Sequence, residues 1–439
     1  MATKIEVEII ESQTVKPSSP TPHQLRNFNL SVLDQMAPVV HVPLLLFYPN
    51  IATTHSMAMN ERCQLLIQSL AKALTHFYPL AGRLVEGSST IECNDDGAEF
   101  IIARVNCSLA DILETPDVVM LNQFLPTEGK GPMLLVQVNF FECGGMAIGF
   151  KISHKFADGS TVFTFIKYLS TIALQSSDSD QVVLPPEFGA ASHFPPLDFS
   201  NSSLPTPMTK KFHQAQKCIT ERYVFDASKI STLKSDVASS IVPNPTRVEA
   251  VSALIWKCAM EASRSNSESP RPSMFHQGVN LRKRFVPPLP ENLAGNIVGR
   301  FTSKVEEFAM IDLKDLAAKF RKGIEQMKEK YAAKVVFNSN VACQERTDFC
   351  RNVLDNDGIE NYACTSWCRF PYYETDFGWG KPAWVSLTSF SVANVIALLD
   401  KRDCKGLEAW VTMSEETMAI LESNVELLGY ASVNPSVTY

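Results

Sequence analysis

Between Val182 and Lys217 the chain carries Pro185, Pro186, Pro195, Pro196, Pro205 and Pro207. Proline locks φ and offers no amide hydrogen, so this stretch suits neither a helix interior nor a central strand. A connection of that length inside a compact protein usually marks a crossover between domains. In a chain of 439 residues it leaves two halves, each near the ordinary size of a single core, about 200 residues. The expected division is residues 1–185, a crossover over 186–217, and a second domain over 218–439.

Both halves alternate helical and extended patterns. Leu66, Leu70, Ala73, Leu74 and Phe77 recur at helical spacing, and Tyr78-Pro79 ends that helix because proline cannot continue it. Val136, Val138 and Phe140 alternate as a strand does, Glu142 to Gly145 supplies a turn, and Ala147 to Ser153 returns as a second strand. Val162, Phe165, Ile166, Leu169 and Ile172 then mark a helix that Asp158 or Ser160 could cap. In the second half, Thr246 and Glu249 have capping-box spacing ahead of a helix from Ala250 to Ala262, and Leu313 to Met327 is amphipathic. Leu387 to Leu398 and Leu407 to Met413 read as strands, and Ser414 caps a further helix. The fold class expected is α/β, as mixed α+β sandwiches in which helices cover a sheet.

Composition narrows the partners. Forty Lys and Arg against 47 Asp and Glu give a formal charge of −7, which favours neither nucleic acid nor an anionic membrane. A polyanionic ligand would need a local cluster of cations. The 11 cysteines include no Cys-x-x-Cys pair, so reduced, buried thiols in a cytosolic protein are expected. Cys364 and Cys368 lie close, but no histidine follows His276, and no metal site is expected. The segment Met1 to Pro22 has neither the apolar core of a signal peptide nor the basic character of a transit peptide. Apolar runs such as Val42 to Tyr48 are too short to cross a bilayer.

Of the eight histidines, His154 stands apart by context. It ends an apolar strand and precedes a polar, glycine-containing loop and a helix start, where reactive side chains are commonly displayed. His76 falls inside a helical pattern, and His193 and His213 fall in the crossover. His154-x-x-x-Asp158 alone is a weak signal, since that spacing arises readily by chance.

The signal strengthens in sequence context. Ser31 to Asp34, Tyr78 to Leu84, His154 to Gly159, Thr246 to Ala250, Val279 to Arg284, Gly295-Asn296, Thr365 to Trp367 and Asp376 to Pro382 occur in this order. Together they make the chain resemble the plant BAHD acyltransferases, in their vinorine synthase-like branch. The resemblance implies two chloramphenicol-acetyltransferase-like domains around a solvent channel, where donor and acceptor meet at His154 in a ternary complex. It implies a monomeric, cytoplasmic enzyme with acyl-CoA, foremost acetyl-CoA, as co-substrate and a plant terpenoid or alkaloid hydroxyl as acceptor. Benzoyl, hydroxycinnamoyl or malonyl donors, amine acceptors, thioester hydrolysis and a non-catalytic role are the alternatives. His154 would be the general base, a task suited to a neutral imidazole.

Asp158 has two readings: a dyad partner orienting His154, as in triads, or a structural carboxylate paired with Arg282, which the family favours. Trp367, a hydrogen-bond donor only, would stabilise the oxyanion, or would simply pack. Asp376, Gly378 and Gly380 would shape a structural turn. Thr246, Arg247 and Arg284 are candidate acyl-CoA contacts at a capped helix start and nearby cations. Ser31 and Thr365 are candidates for the acceptor pocket, together with residues near 31–41, 299–301 and 384–390. Lys155 departs from the Thr or Ala frequent in the family and is expected to reach solvent.

Overall fold

The computed structural model describes residues 5–50, 57–85, 89–127, 131–175, 184–197, 217–265, 270–306, 310–332 and 358–438. The first half contributes β1 (Val7–Val15), β2 (Asn27–Asn29), β3 (His41–Tyr48), β4 (Arg83–Leu84), β5 (Thr90–Glu92), β6 (Ala98–Val105), β7 (Leu134–Phe141) and β8 (Met146–Ser153). The second contributes β9 (Cys218–Phe225), β10 (Ser273–Asn280), β11 (Val298–Val305), β12 (Glu360–Ser366), β13 (Trp384–Ser386), β14 (Val395–Asp400), β15 (Leu407–Ser414) and β16 (Ser432–Val433). One sheet has the order β1-β6-β7-β8-β3-β13, and a second the order β11-β10-β12-β14-β15-β9-β16. A small third sheet joins β2, β5 and β4.

Helices Met59–His76 and Gly159–Gln175 cover the first sheet. Their apolar stripes bury Leu66, Leu70, Leu74, Phe165 and Leu169 in one core, and Phe77 meets Phe165 edge-on at 5.2 Å. Helices Arg247–Ser265 and Leu313–Ala332 serve the second sheet, where Trp256, Phe275 and Phe320 pack together. The strands β7 and β8 are buried along nearly their whole length. A strand covered on both faces reads as a continuous apolar run rather than an alternation.

The division of the chain at the crossover has one exchange across it. Of the strand expected over Leu387 to Leu398, only the part from Val395 forms, as the start of β14; the residues before it connect from β13, which ends at Ser386. β13 pairs antiparallel with β3 in the first sheet, whereas β14 pairs with β12 and β15 in the second. Part of residues 218–439 therefore completes the core of the first half. The seam is packed rather than loose. Phe47, Trp384 and Trp410 stack in series at 5.2 and 6.1 Å. Arg222, ion-paired with Glu408 at 2.9 Å, lies 5.0 Å from the Trp384 ring. The chain changes sheets between Ser386 and Val395, and apolar burial alone does not mark where, because it is non-directional.

Much of the Pro-rich crossover, at residues 198–216, lies outside the described residues. Its first part docks on the loop between β10 and β11, with Asn292 Nδ2 donating to the Pro185 carbonyl at 2.7 Å. Among the described residues no helix is long and apolar enough to cross a membrane, and the described cysteines are free thiols.

Candidate active site

His154 follows β8 directly, and its amide donates to the Val40 carbonyl at 2.8 Å, which ties the loop to the start of β3. The ring's Nδ1 lies 2.9 Å from Asn296 Oδ1. The orientation of that amide follows from its other contacts. Asn296 Nδ2 donates to Asp34 Oδ1 at 2.9 Å and to the His154 carbonyl at 2.7 Å, and a carbonyl oxygen can only accept. Oδ1 must therefore face the imidazole as an acceptor, so in the neutral ring Nδ1 carries the proton and Nε2 keeps its lone pair. Burial, the dominant influence, holds the pKa of His154 below the ordinary histidine value, and Lys155 adds slightly to this; hydrogen bonds and Asp158 oppose it. Burial thus favours the neutral imidazole, whose basic nitrogen is Nε2.

Asn296 is itself anchored. Its amide donates to Asp34 Oδ1 at 2.7 Å, and the other Asp34 oxygen accepts from Ser31 N at 3.0 Å and Ser31 Oγ at 2.6 Å. Ser31 is the N-cap of the short helix Val32–Met36, with Asp34 at its third position in a reciprocal capping box. Burial pushes the Asp34 carboxyl up, while these donors pull it down. Ser31 is thus committed to capping and is fully buried, not open to an acceptor.

Asp158 turns away from the imidazole. Its oxygens take Arg282 Nη1 at 2.7 Å and Nη2 at 3.2 Å, with the Thr161 and Ile297 amides at 2.8 and 3.0 Å. Of the two readings of Asp158, this geometry matches the structural pair. Arg282 also donates to the Leu293 and Gly295 carbonyls and to Thr161 Oγ1. Both partners are about as buried as side chains become, at 1% and 2% exposed. The Thr161 contact makes Asp158 the cap of helix Gly159–Gln175, so one carboxylate joins a helix start in the first half to an arginine of the second.

Trp367 comes from the end of β12, where its amide donates to the Leu398 carbonyl. It stacks on Tyr372 at 5.8 Å, and the Tyr372 hydroxyl donates to the Gly159 carbonyl at 3.2 Å. A Cβ placed on Gly159 would lie 3.1 Å from Trp367 Nε1, so the residue after Asp158 must be small for the indole to sit there. Thr365 lies on β12 with its side chain exposed. Of the other candidate acceptor segments, Trp384 to Leu387 is buried in the seam between the sheets.

Asp376 Oδ1 accepts from the Gly378 and Gly380 amides at 2.8 and 3.0 Å, and both glycines have positive φ, 106° and 102°. Only glycine adopts that conformation without strain. Phe377 and Trp379 stack on each other and present edges to Tyr48 of β3. This turn delivers the chain into β13.

A cleft of about 1870 Å³ runs between the two halves, lined by Ser160, Lys167, Thr246, Arg284, Lys328 and Arg369 among others. Thr246 caps its helix by a capping box with Glu249. Arg247, expected beside it as a phosphate contact, instead pairs with Asp400 at 2.7 Å and donates to the carbonyls of Cys404, Lys405 and Gly406. Lys155 likewise corrects its expectation. It is 6% exposed, and its ammonium donates to the Gln35 carbonyl at 2.8 Å rather than meeting solvent. Asn296, Asp34 and Lys155 were the functional contacts missed. The capping-box spacing of Ser31 and Asp34 was readable; the Asn296 contact, 142 positions from His154, had no local signal.

A family model described as the Transferase family matches residues 5–428. The chain belongs to the BAHD acyltransferase family. Akuammiline synthase 1 of Alstonia scholaris is 38% identical over 97% of each chain. Limonoid 1-O-acetyltransferase of Citrus sinensis is 38% identical over 99% of this chain and 100% of its own length. The crystal structure of vinorine synthase superposes with a TM-score of 0.83 at 34% identity, covering 97% of this chain and 99% of that one. This BAHD protein is an acyl-CoA-dependent acyltransferase built on the same mixed α/β fold.

Proposed function

We propose that this BAHD protein transfers an acetyl group from acetyl-CoA to a hydroxyl of a terpenoid or alkaloid, with His154 as general base. The observation that carries the reading is the Asn296–His154 hydrogen bond, which fixes the proton of the neutral ring on Nδ1 and so makes Nε2 its basic nitrogen. Nε2 takes the acceptor's proton as its oxygen attacks the thioester carbonyl, and the Trp367 indole N–H donates to the developing oxyanion. The tetrahedral intermediate then expels the coenzyme A thiolate, which recovers the proton from the imidazolium. Asp158 and Arg282 act at a distance, by holding the helix start and the Asn296 loop. Lys167, Arg284, Lys328 and Arg369 of the cleft are the cations best placed to meet the phosphates of the donor. The acetyl donor and the acceptor class follow the names of relatives such as limonoid 1-O-acetyltransferase and stemmadenine O-acetyltransferase.

The test offers pooled plant alcohols with acetyl-, malonyl-, benzoyl- and hydroxycinnamoyl-CoA and identifies products by mass spectrometry. Acetyl esters formed by the wild type and lost in His154→Ala support the reading. Esters from another donor replace the acetyl assignment; near-wild-type transfer by His154→Ala removes the general base.

A further inference from the structure

The His154 loop contains a charged side chain that the acyl-transfer chemistry leaves unused. Lysines normally extend their ammonium to water, and a desolvated ammonium is unfavourable unless it is given hydrogen-bond acceptors. Lys155 is buried, with Nζ 2.8 Å from the Gln35 carbonyl oxygen and 3.4 Å from that of Asp34. Both carbonyls belong to the helix Val32–Met36. That helix also carries the Asp34 carboxylate, which holds Asn296, and Asn296 in turn holds the His154 ring.

One dipeptide therefore grips one short helix by two routes. Lys155 takes its main chain directly, and His154 reaches its Asp34 side chain through Asn296. The two routes close a ring in which each member fixes the next. Phe156 and Ala157, the following residues, are buried in the apolar core, and their amides donate to the Ser153 carbonyl. A five-residue helix has too few internal hydrogen bonds to hold its own position, so outside contacts must set where Asp34 sits.

We propose that Lys155 is a positioning residue for His154: it anchors helix Val32–Met36 so that Asp34 and Asn296 present the amide oxygen to Nδ1. The inference rests on His154 being the general base. A lysine that only filled space would leave the ring intact when shortened or neutralised, and would not couple to Asn296.

The experiment compares Lys155→Met, Lys155→Arg, Asn296→Ala and the Lys155→Met/Asn296→Ala double variant in the full chain, with His154→Ala as control. Steady-state kcat and KM for acetyl-CoA and an accepted alcohol are read beside thermal unfolding. Loss of a buried charged donor predicts kcat lower by about 10- to 100-fold in Lys155→Met, with each KM within about threefold. Lys155→Arg restores most of kcat. In the Asn296→Ala background Lys155→Met has little further effect, because both act through one ring. A kcat within threefold of wild type, a loss carried by KM, or full multiplication of the two single losses overturns the proposal. If Lys155→Met fails to fold, Lys155→Gln, which keeps a donor without the charge, is read by the same split. An active His154→Ala would sink the general base itself, a result separate from any of these.

Discussion

Replacing Asn296 with alanine removes three side-chain hydrogen bonds at once: to His154 Nδ1 at 2.9 Å, to the His154 carbonyl at 2.7 Å and to Asp34 Oδ1 at 2.9 Å. The Asp34 carboxylate keeps Ser31 and the main-chain amide of residue 296, so the helix cap survives. With each buried hydrogen bond contributing about 1 kcal/mol net, the fold should lose roughly 2–4 kcal/mol, less than a domain's usual stability. The chemical step suffers differently. Without an acceptor at Nδ1 the imidazole populates the wrong tautomer and rotates, and general-base catalysis, which contributes about 10² to 10⁴ in rate, is forfeited in part or whole. Asn296 is neutral, so the lower end, about 100-fold in kcat or 2.7 kcal/mol, is expected.

The assay follows thiol release from acetyl-CoA that depends on added alcohol, across pH. His154 must be neutral to act, and burial already lowers its pKa. The acid limb of the wild-type profile should therefore fall below the ordinary histidine value, about 6.5, with activity rising as pH passes through it. Asn296 raises that pKa, so Asn296→Ala should move the limb to still lower pH while its plateau drops. A folded Asn296→Ala enzyme with kcat within threefold of wild type, or with its limb moved upward, would refute the orientation argument.

Three other expectations follow from the same contacts. Arg282→Met leaves the buried Asp158 carboxylate without its partner and should destabilise the protein by about 3–5 kcal/mol, whereas Asp158→Leu/Arg282→Met should be milder than either single change; chemical denaturation would decide it. Gly159→Ala brings a methyl to 3.1 Å from Trp367 Nε1 and should lower kcat by about tenfold, against about 10²- to 10³-fold for Trp367→Phe; equal kcat in wild type and Trp367→Phe would remove the oxyanion role. His276 is 4% exposed, and its pKa is pushed down to about 4, chiefly by burial. The unfolded chain therefore binds a proton that the native state refuses, and stability should fall as pH drops from about 6.5 towards 4, by about 3 kcal/mol at most. Thermal unfolding of His276→Gln should show a shallower acid decline than wild type; an unchanged decline would rule out His276 as its source.

The residues alone determined what is local. The helix over Met59–His76 with its proline stop, β7, β8 and the helix after Gly159 were all legible, since each is specified by apolar spacing and nearby capping groups. So were the special position of His154 at a strand end and the family, carried by ordered short motifs. Tertiary structure decided the rest. Whether Asp158 faced His154 or Arg282 depended on a chain segment 124 positions away, and the partner of His154 lay 142 positions away. The apolar stretch around residues 384–398 did not show that Trp384–Ser386 joins the first sheet and Val395 onward the second, with a non-strand link between, because hydrophobic burial is non-directional. Lys155 looked solvent-bound, since a lysine reads as a surface residue unless the carbonyls that receive it are known. Short-range periodicity and capping belong to the sequence; the proton position on His154 belongs to contacts that only folding assembles.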